Sequence, residues 1–241
     1  MGKLYIVGFG PGSAEHMTEL CTNCLRSADI IVGYTGYIDL LRPIFSDKLF
    51  YDTSMTLETE RRQKAIELAS EGKTVCVVSS GDSGIFGMAS LIFELAQDSP
   101  NVEIEVVPGV TAAISGAALL GAPIGHDFAV ISLSDLLTPW VVIEKRLRAA
   151  AAGDFAICLY NPGSKKRTEH LQAACDILLE AIPAARPCGI ARSIGRDGQS
   201  ITLLTLGELC KTPVDMTETV FIGNSSTRFI GECMVTPRGY V

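Results

Sequence analysis

Residues 75–88 read VCVVSSGDSGIFGM, and this stretch contains the pattern that predicts the architecture. Its first four residues are apolar, which is typical of a strand buried on both faces. A glycine-rich turn follows, and from Ile85 to Gln97 the apolar residues recur with helical spacing. A strand that leads through a tight turn into a helix places backbone N–H groups where open α/β sheets bind ligands. This turn is therefore the first candidate ligand site.

Strands and helices alternate on both sides of this turn through the first half of the chain. The other predicted strands there are 3–7, 29–32 and 102–107, and the other predicted helices are 13–27, 37–41, 57–71 and 110–120. Such alternation predicts a mainly parallel sheet with helices on both faces. Residues 121–125 (GAPIG) have the composition of a hinge, so we place a domain boundary after residue 122.

The second half repeats the alternation with more strands and fewer helices. Its predicted strands are 128–133, 155–160, 188–191, 200–204 and 219–222, and its predicted helices are 139–152 and 165–181. This density of strands predicts a mixed sheet with antiparallel pairs. The predicted fold class is therefore α/β, with two α/β lobes, residues 1–122 and 123–241, and a ligand cleft between them.

The net charge and the apolar segments limit which binding partners and which cellular compartment we expect. The net charge of −7 argues against a nucleic-acid partner, because binding to phosphates needs clustered Lys and Arg. The apolar run at the N-terminus stops at Gly8, too short for a signal peptide or a membrane span, which predicts a cytoplasmic protein without membrane contact. In that compartment the eight cysteines are expected to be free thiols.

Two short motifs resemble a metal or redox site and a dinucleotide-binding loop, but the residues around them argue against both. Cys21 and Cys24 have the spacing of a redox or zinc site, but no second pair follows and the segment is typical of an amphipathic helix, so we expect no metal. The loop after Val7 resembles a dinucleotide-binding loop, yet Ser13 stands where the third glycine belongs and Pro11 lacks an N–H. An NAD-dependent oxidoreductase is therefore disfavoured.

Polar residues at predicted strand ends are candidates for binding. Asp82 either accepts hydrogen bonds from a ligand amine or hydroxyl group, or caps a tight turn. Thr111 is likewise either a helix cap or a ligand contact. Residues 160–162 (YNP), followed by the basic residues 165–167, form a rim suited to an acidic substrate or a solvated helix start. His126 and Asp127 are a candidate proton-exchanging pair, with a structural histidine as the alternative.

Seven motifs together are similar to one known family. They are 7–12 (VGFGPG), 80–87 (SGDSGIFG), 107–112 (VPGVTA), 125–128 (GHDF), 131–140 (ISLSDLLTPW), 159–162 (LYNP) and 234–240 (MVTPRGY). In this order they resemble the tetrapyrrole methylases, and within them the branch that methylates carbon 17 of precorrin-3B or cobalt-precorrin-3 in cobalamin synthesis. The resemblance covers essentially the whole chain.

The resemblance implies a homodimeric enzyme that uses S-adenosyl-L-methionine to methylate carbon 17 of a polycarboxylate tetrapyrrole and to contract its ring. It implies cofactor binding by Pro11, Gly81, Asp82, Gly84, Ile85, Phe86, Thr111, Ala112, Leu159, Tyr160, Asn161, Ala191 and Arg192. His126 and Asp127 are then the candidates for moving protons in the contraction, and residues 165–167 with Arg192 for collecting carboxylates.

Two departures from the family pattern concern the central turn. Ser83 stands where proline is usual, which should loosen the turn, and Phe86 stands where tyrosine is usual, which removes a hydroxyl contact. A methyltransferase acting at another ring carbon and a non-catalytic nucleotide or tetrapyrrole binding module remain as alternatives.

Overall fold

The computed structural model describes residues 2–98, 101–164 and 167–239. The chain divides into two compact units, Met1–Ala112 and Ala113–Val241. Each unit has a five-stranded sheet with helices packed on it, so the predicted α/β class is confirmed. The division falls between residues 112 and 113 rather than after residue 122.

The first unit is built on a parallel sheet in the order β3-β2-β4-β1-β5. Its strands are β1 Gly2–Gly8, β2 Ile30–Tyr34, β3 Leu49–Thr53, β4 Thr74–Ser79 and β5 Val102–Val107. Its helices are α1 Glu19–Ser27, α2 Thr35–Leu41, α3 Glu58–Ser70 and α4 Ala89–Leu95. The parallel sheet is confirmed, and β3 was missed by the sequence analysis.

The strand β4 lies at the centre of this sheet and is covered on both faces. Cys76 and Val78 belong to one apolar cluster, and Val75 and Val77 belong to the cluster on the other face. All four side chains are at most 2% exposed. Burial on both faces is the reason why this strand shows a continuous apolar run rather than alternation.

Two predicted helices of the first unit begin later than expected. The helix after the glycine-rich turn begins at Ala89 instead of Ile85, because Phe86 has a left-handed backbone with φ 54° that no α-helix contains. The first helix begins at Glu19, capped by the Thr18 side chain, which accepts a hydrogen bond from the N–H of Cys21. Ser13 instead precedes a short 3₁₀ turn at Ala14–His16.

The second unit is built on a mixed sheet in the order β10-β9-β11-β8-β7, as predicted, beside a small sheet in the order β12-β13-β6. Its strands are β6 Gly121–Ala122, β7 Phe128–Ser132, β8 Ala156–Tyr160, β9 Pro187–Arg192, β10 Ser200–Thr205, β11 Glu218–Ile222, β12 Arg228–Ile230 and β13 Cys233–Val235. The helices α5 Ala112–Leu120, α6 Trp140–Ala152, α7 His170–Leu179 and α8 Leu206–Leu209 complete it.

The packing of α5 explains why the second unit starts before the predicted boundary. A Cβ on Gly116 would lie 3.0 Å from the Phe221 ring, and a Cβ on Gly189 would lie 2.7 Å from the Leu120 side chain. The helix therefore packs at close range on β9 and β11. The predicted hinge is also part of the second unit, because β6 pairs with β13 and the Thr236 hydroxyl donates to the Pro123 carbonyl at 2.5 Å.

The predicted helix 165–181 begins at His170, and Lys165 and Lys166 lie outside the described residues. None of the helices in the described ranges is long and apolar enough to cross a bilayer. Within the same ranges, no group of three His, Cys, Asp or Glu side chains is placed to hold a metal ion.

We expect the buried cysteine thiols to react more slowly than the exposed one. Six of the eight cysteines are buried, whereas Cys233 is exposed. Burial raises the pKa of the Cys21 thiol to about 12, so its reactive thiolate is scarce at neutral pH. A thiol reagent should therefore label Cys233 first in the folded protein and should count all eight thiols after denaturation.

The Cys233→Ser variant is the control, since it should lose the fast phase alone. Fast labelling of Cys21 or Cys24, or stoichiometric zinc in the purified protein, would contradict the prediction.

Candidate functional site

The carboxyl ends of β1, β4 and β5 bring three glycine-containing loops together in the first unit. The N–H of Gly10 donates to the Gly81 carbonyl at 3.0 Å, and the N–H of Gly81 donates back to the Gly10 carbonyl at 2.7 Å. A Cβ on Gly109 would lie 2.2 Å from the Gly81 oxygen and 2.4 Å from the Gly8 oxygen. The three backbones therefore touch directly, and only glycine fits at this contact.

Asp82 joins two of these loops through its carboxylate. One oxygen accepts a hydrogen bond from the N–H of Gly84 at 2.8 Å, and the other accepts from the N–H of Gly109 at 2.9 Å. Asp82 therefore stabilises the turn after β4 and ties it to the turn after β5. Met88, not Asp82, is the residue before α4, so Asp82 is not a helix cap.

Gly81 leaves space beside the backbone of the next loop. It has a left-handed backbone, φ 70°, and a Cβ here would have Thr111 Cα at 3.6 Å and Ala112 N at 3.8 Å as its nearest neighbours. Since glycine has no Cβ, a ligand atom can approach these backbone groups closely. The structure brings Gly81, Thr111 and Ala112 together, as the predicted binding set requires.

The other predicted residues of the first unit lie on the same edge. Pro11 follows Gly10 and is buried. Ile85 and Phe86 follow Gly84 on the turn and are 38% and 56% exposed. These two apolar side chains are open to a ligand.

Ser83 does not loosen the turn through its side chain, contrary to the prediction. It is fully buried, and its hydroxyl donates to the Ile6 carbonyl of β1 at 3.1 Å. A proline at this position has no side-chain donor and cannot form this bond. The serine thus adds a bond between the turn and the sheet.

The carboxyl ends of β7, β8 and β9 share one edge of the mixed sheet in the second unit. Ser132 pairs with Tyr160 in parallel register, and Arg192 lies opposite Glu218 at the start of the antiparallel β11. The Tyr160 hydroxyl oxygen accepts a hydrogen bond from the N–H of Ala113 at 2.8 Å, near the start of α5. Tyr160 therefore also fixes the amino end of α5.

Asn161 turns the chain at this edge. It has a left-handed backbone, φ 53°, and its side-chain amide donates to the Ser132 hydroxyl at 2.9 Å. Leu159 and Ala191 are fully buried, so their side chains pack in the core. Arg192 is half exposed, and its guanidinium lies 3.5 Å from the Asp215 carboxylate. The structure thus places the five predicted cofactor-binding residues of this unit at one edge.

Three further polar side chains lie at this edge, and two of them add to the predicted set. Arg167 donates to the Ser134 hydroxyl at 2.5 Å, while its Nε is buried without a partner among the described residues. His170 lies 3.2 Å from the Asp135 carboxylate. Arg167 was part of the predicted cationic rim, but Asp135 and His170 were missed. The available signal was that Asp135 follows a predicted strand, as the other candidates do.

His126 and Asp127 lie at the opposite edge of the same sheet. They precede β7, and the Asp127 carbonyl accepts a hydrogen bond from the N–H of Ala156, the first residue of β8. β7 has 5 residues, and each strand residue rises about 3.3 Å, so the length of the strand separates this pair from Ser132 and Tyr160. The structure therefore separates the predicted proton-exchanging pair from the predicted binding residues of this unit.

The His126 pair lines a different cavity. His126 Nδ1 lies 3.3 Å from an Asp127 carboxylate oxygen, and both side chains are more than half exposed. Around them is a cavity of about 370 Å³ whose other walls include Asp154, Ser225 and Arg238. This cavity belongs to the amino-terminal edge of β7 and β8.

Comparison with known proteins shows which family this chain resembles. A family model described as Tetrapyrrole (Corrin/Porphyrin) Methylases matches residues 3–210. A relative named probable cobalt-factor III C(17)-methyltransferase, from Salmonella typhimurium, is 48% identical over 98% of this chain and 99% of its own length. A relative named precorrin-3B C(17)-methyltransferase, from Sinorhizobium sp, is 41% identical over 99% of this chain and 97% of its own.

Among solved structures, the crystal structure of the methyltransferase CobJ superposes with a TM-score of 0.91. Its sequence is 39% identical to this chain, and the match covers 98% of this chain and 100% of that one. Both sequence and architecture are therefore similar along nearly the whole chain.

Proposed function

This chain belongs to the tetrapyrrole (corrin/porphyrin) methylases, and we propose that it transfers a methyl group from S-adenosyl-L-methionine to carbon 17 of precorrin-3B or cobalt-precorrin-3, with contraction of the ring, in cobalamin synthesis. The observation that carries the proposal is the near-complete similarity, at 48% and 41% identity, to two relatives that are both named for this carbon. Their names differ in whether cobalt is present, so the chain is tested with both substrates.

The loops of the first unit offer backbone groups and exposed apolar side chains to the cofactor. The open space beside Gly81 and the exposed turn at Ile85 and Phe86 would hold it, together with Thr111 and Ala112. S-adenosyl-L-methionine supplies a methyl group on a positively charged sulfur, which a nucleophilic carbon attacks. The protein then has mainly to orient that carbon, and such positioning lowers the barrier considerably.

The second unit offers a surface suited to a flat apolar macrocycle with acidic substituents. Leu136 and Leu137, in the loop between β7 and α6, are 80% and 88% exposed. In the same loop Ser134 accepts a hydrogen bond from Arg167, which brings a guanidinium to this edge. Apolar side chains beside a fixed cation match the ring face and the carboxylates, although the whole protein carries a net charge of −7.

Transfer of a labelled methyl group tests the function directly. Purified enzyme is incubated with methyl-labelled S-adenosyl-L-methionine and with either precorrin-3B or cobalt-precorrin-3, and products are analysed by mass spectrometry and NMR. We expect one labelled methyl group at carbon 17 and a contracted ring from one or both substrates. A label at another ring carbon would favour the alternative methyltransferase, and binding without transfer would favour a binding module.

We also propose that the enzyme acts as a homodimer, as the family resemblance implies, and that it works in the cytoplasm. Light scattering on the purified protein should give twice the mass of the 25.7 kDa chain. A monomer that has full methyl transfer activity would remove the dimer from the proposal.

A further inference from the structure

A histidine–carboxylate pair lies at the carboxyl edge of the second sheet. His170 is the first residue of α7, and its Nε2 lies 3.2 Å from Asp135 Oδ2 in the loop after β7. The Trp140 ring, at the start of α6, meets the imidazole edge-on with 5.1 Å between ring centroids. Three elements therefore fix the orientation of one imidazole.

The partner of the imidazole determines which nitrogen carries the hydrogen. A carboxylate only accepts hydrogen bonds, so a neutral His170 bonded to Asp135 must carry its hydrogen on Nε2. The lone pair then lies on Nδ1. Within the described part of the chain, no residue hydrogen-bonds to Nδ1, and the side chain is 20% exposed. This nitrogen is oriented and free to accept a proton.

The surroundings favour the ionised form of Asp135. The bond to His170 lowers the pKa of the Asp135 carboxyl, and the positive charge of Arg167 lowers it further. Asp135 therefore stays ionised and can stabilise an imidazolium, as a carboxylate does beside a catalytic histidine.

We propose that His170 is the general base of the methyl transfer, an inference that rests on the proposed function. In the balanced step, the carbon–sulfur bond of the sulfonium breaks and its electron pair stays on sulfur, while a carbon–carbon bond forms at carbon 17. The methyl group adds as a cation equivalent, so the macrocycle gains one positive charge. It returns to its former charge by losing one proton from a ring N–H or from a carbon next to the new bond. The electrons of that bond stay in the ring system, and Nδ1 of His170 takes the proton.

The His170→Ala variant tests this role together with His170→Gln, whose amide can still donate to Asp135 but has no nitrogen that accepts a proton. A general base contributes about 10²–10⁴-fold to the rate, so kcat of both variants should fall by that factor. Their affinity for S-adenosylhomocysteine should stay within about threefold of wild type, and added imidazole should restore part of the rate of His170→Ala.

One further measurement tests the pairing itself. In the protein without substrate, NMR titration should show the Asp135 pKa rising in His170→Ala, since its partner is gone.

The outcomes distinguish this inference from the function itself. If wild type transfers no methyl group to either substrate, the proposed function fails and the base falls with it. If wild type is active and folded His170→Ala keeps its kcat, the function stands and His170 is not the base. Full turnover in His170→Gln, which has no basic nitrogen, would also overturn the assignment.

Discussion

Replacing Gly109 by Ala is expected to lower the free energy of unfolding by at least about 3 kcal/mol, the upper end of the usual cost of overpacking. The new Cβ would lie 2.2 Å from the Gly81 oxygen and 2.4 Å from the Gly8 oxygen, and both neighbours are backbone atoms of loops that are held by hydrogen bonds. Neither neighbour can rotate away, so the loops must separate. Differential scanning calorimetry measures the loss.

The Gly207→Ala variant is the control, because the nearest neighbours of its Cβ would be the Ala184 Cβ at 3.3 Å and the Ala184 oxygen at 3.5 Å, and Gly207 lies in a helix. Alanine has the higher helix propensity, so this variant should stay within about 1 kcal/mol of wild type. An equally small change in Gly109→Ala would mean that the three loops are not in contact as described.

Gly81→Val should weaken binding of S-adenosylhomocysteine at least about tenfold, which corresponds to about 1.4 kcal/mol. Gly81 has φ 70°, a conformation that β-branched residues avoid, and the added side chain would occupy the space beside Thr111 and Ala112. Either the turn must shift, or the valine side chain must fill the space that a ligand needs. Isothermal titration calorimetry on the folded variant measures the affinity.

Gly72→Val provides a matched control for backbone strain. Gly72 is also left-handed, with φ 91°, but no atom lies within 4 Å of its Cβ position, and it precedes the amino end of β4, away from the loops. The Gly72→Val variant should lose stability but keep its affinity for S-adenosylhomocysteine. An unchanged affinity in folded Gly81→Val would place the cofactor elsewhere, and binding of NAD with similar strength would contradict the assignment of the cofactor.

The sequence predicted those parts of the fold that depend on local pattern. The apolar run at β4 and the late density of strands were enough to predict a parallel sheet followed by a mixed one. β3 was missed because its residues are only partly buried and show no clear alternation. The start of α4 was wrong because a non-glycine residue, Phe86, takes a left-handed backbone, which no local pattern signals.

Site residues that directly follow a strand could be predicted from the sequence. Site residues that meet only when distant segments pack together could not. Tyr160 and Asn161 follow β8, and the structure places them at the expected edge. His126 was chosen for its chemistry, although it precedes its strand and therefore lies at the other edge. His170 and Asp135 meet only because α7 packs beside the β7–α6 loop, a tertiary contact without a sequence signature.

The hydrogen bond from Thr236 to Pro123 has a consequence for protein synthesis. It joins residues 113 positions apart, and β13 pairs with β6 next to it. Every strand of the first unit, in contrast, has been made by Val107. Since domains fold as they emerge from the ribosome, the first unit can fold while translation continues. The small sheet of the second unit must wait for β13, Cys233–Val235, so a ribosome that stalls before these residues would carry a first unit with a complete sheet while β6 still has no partner strand.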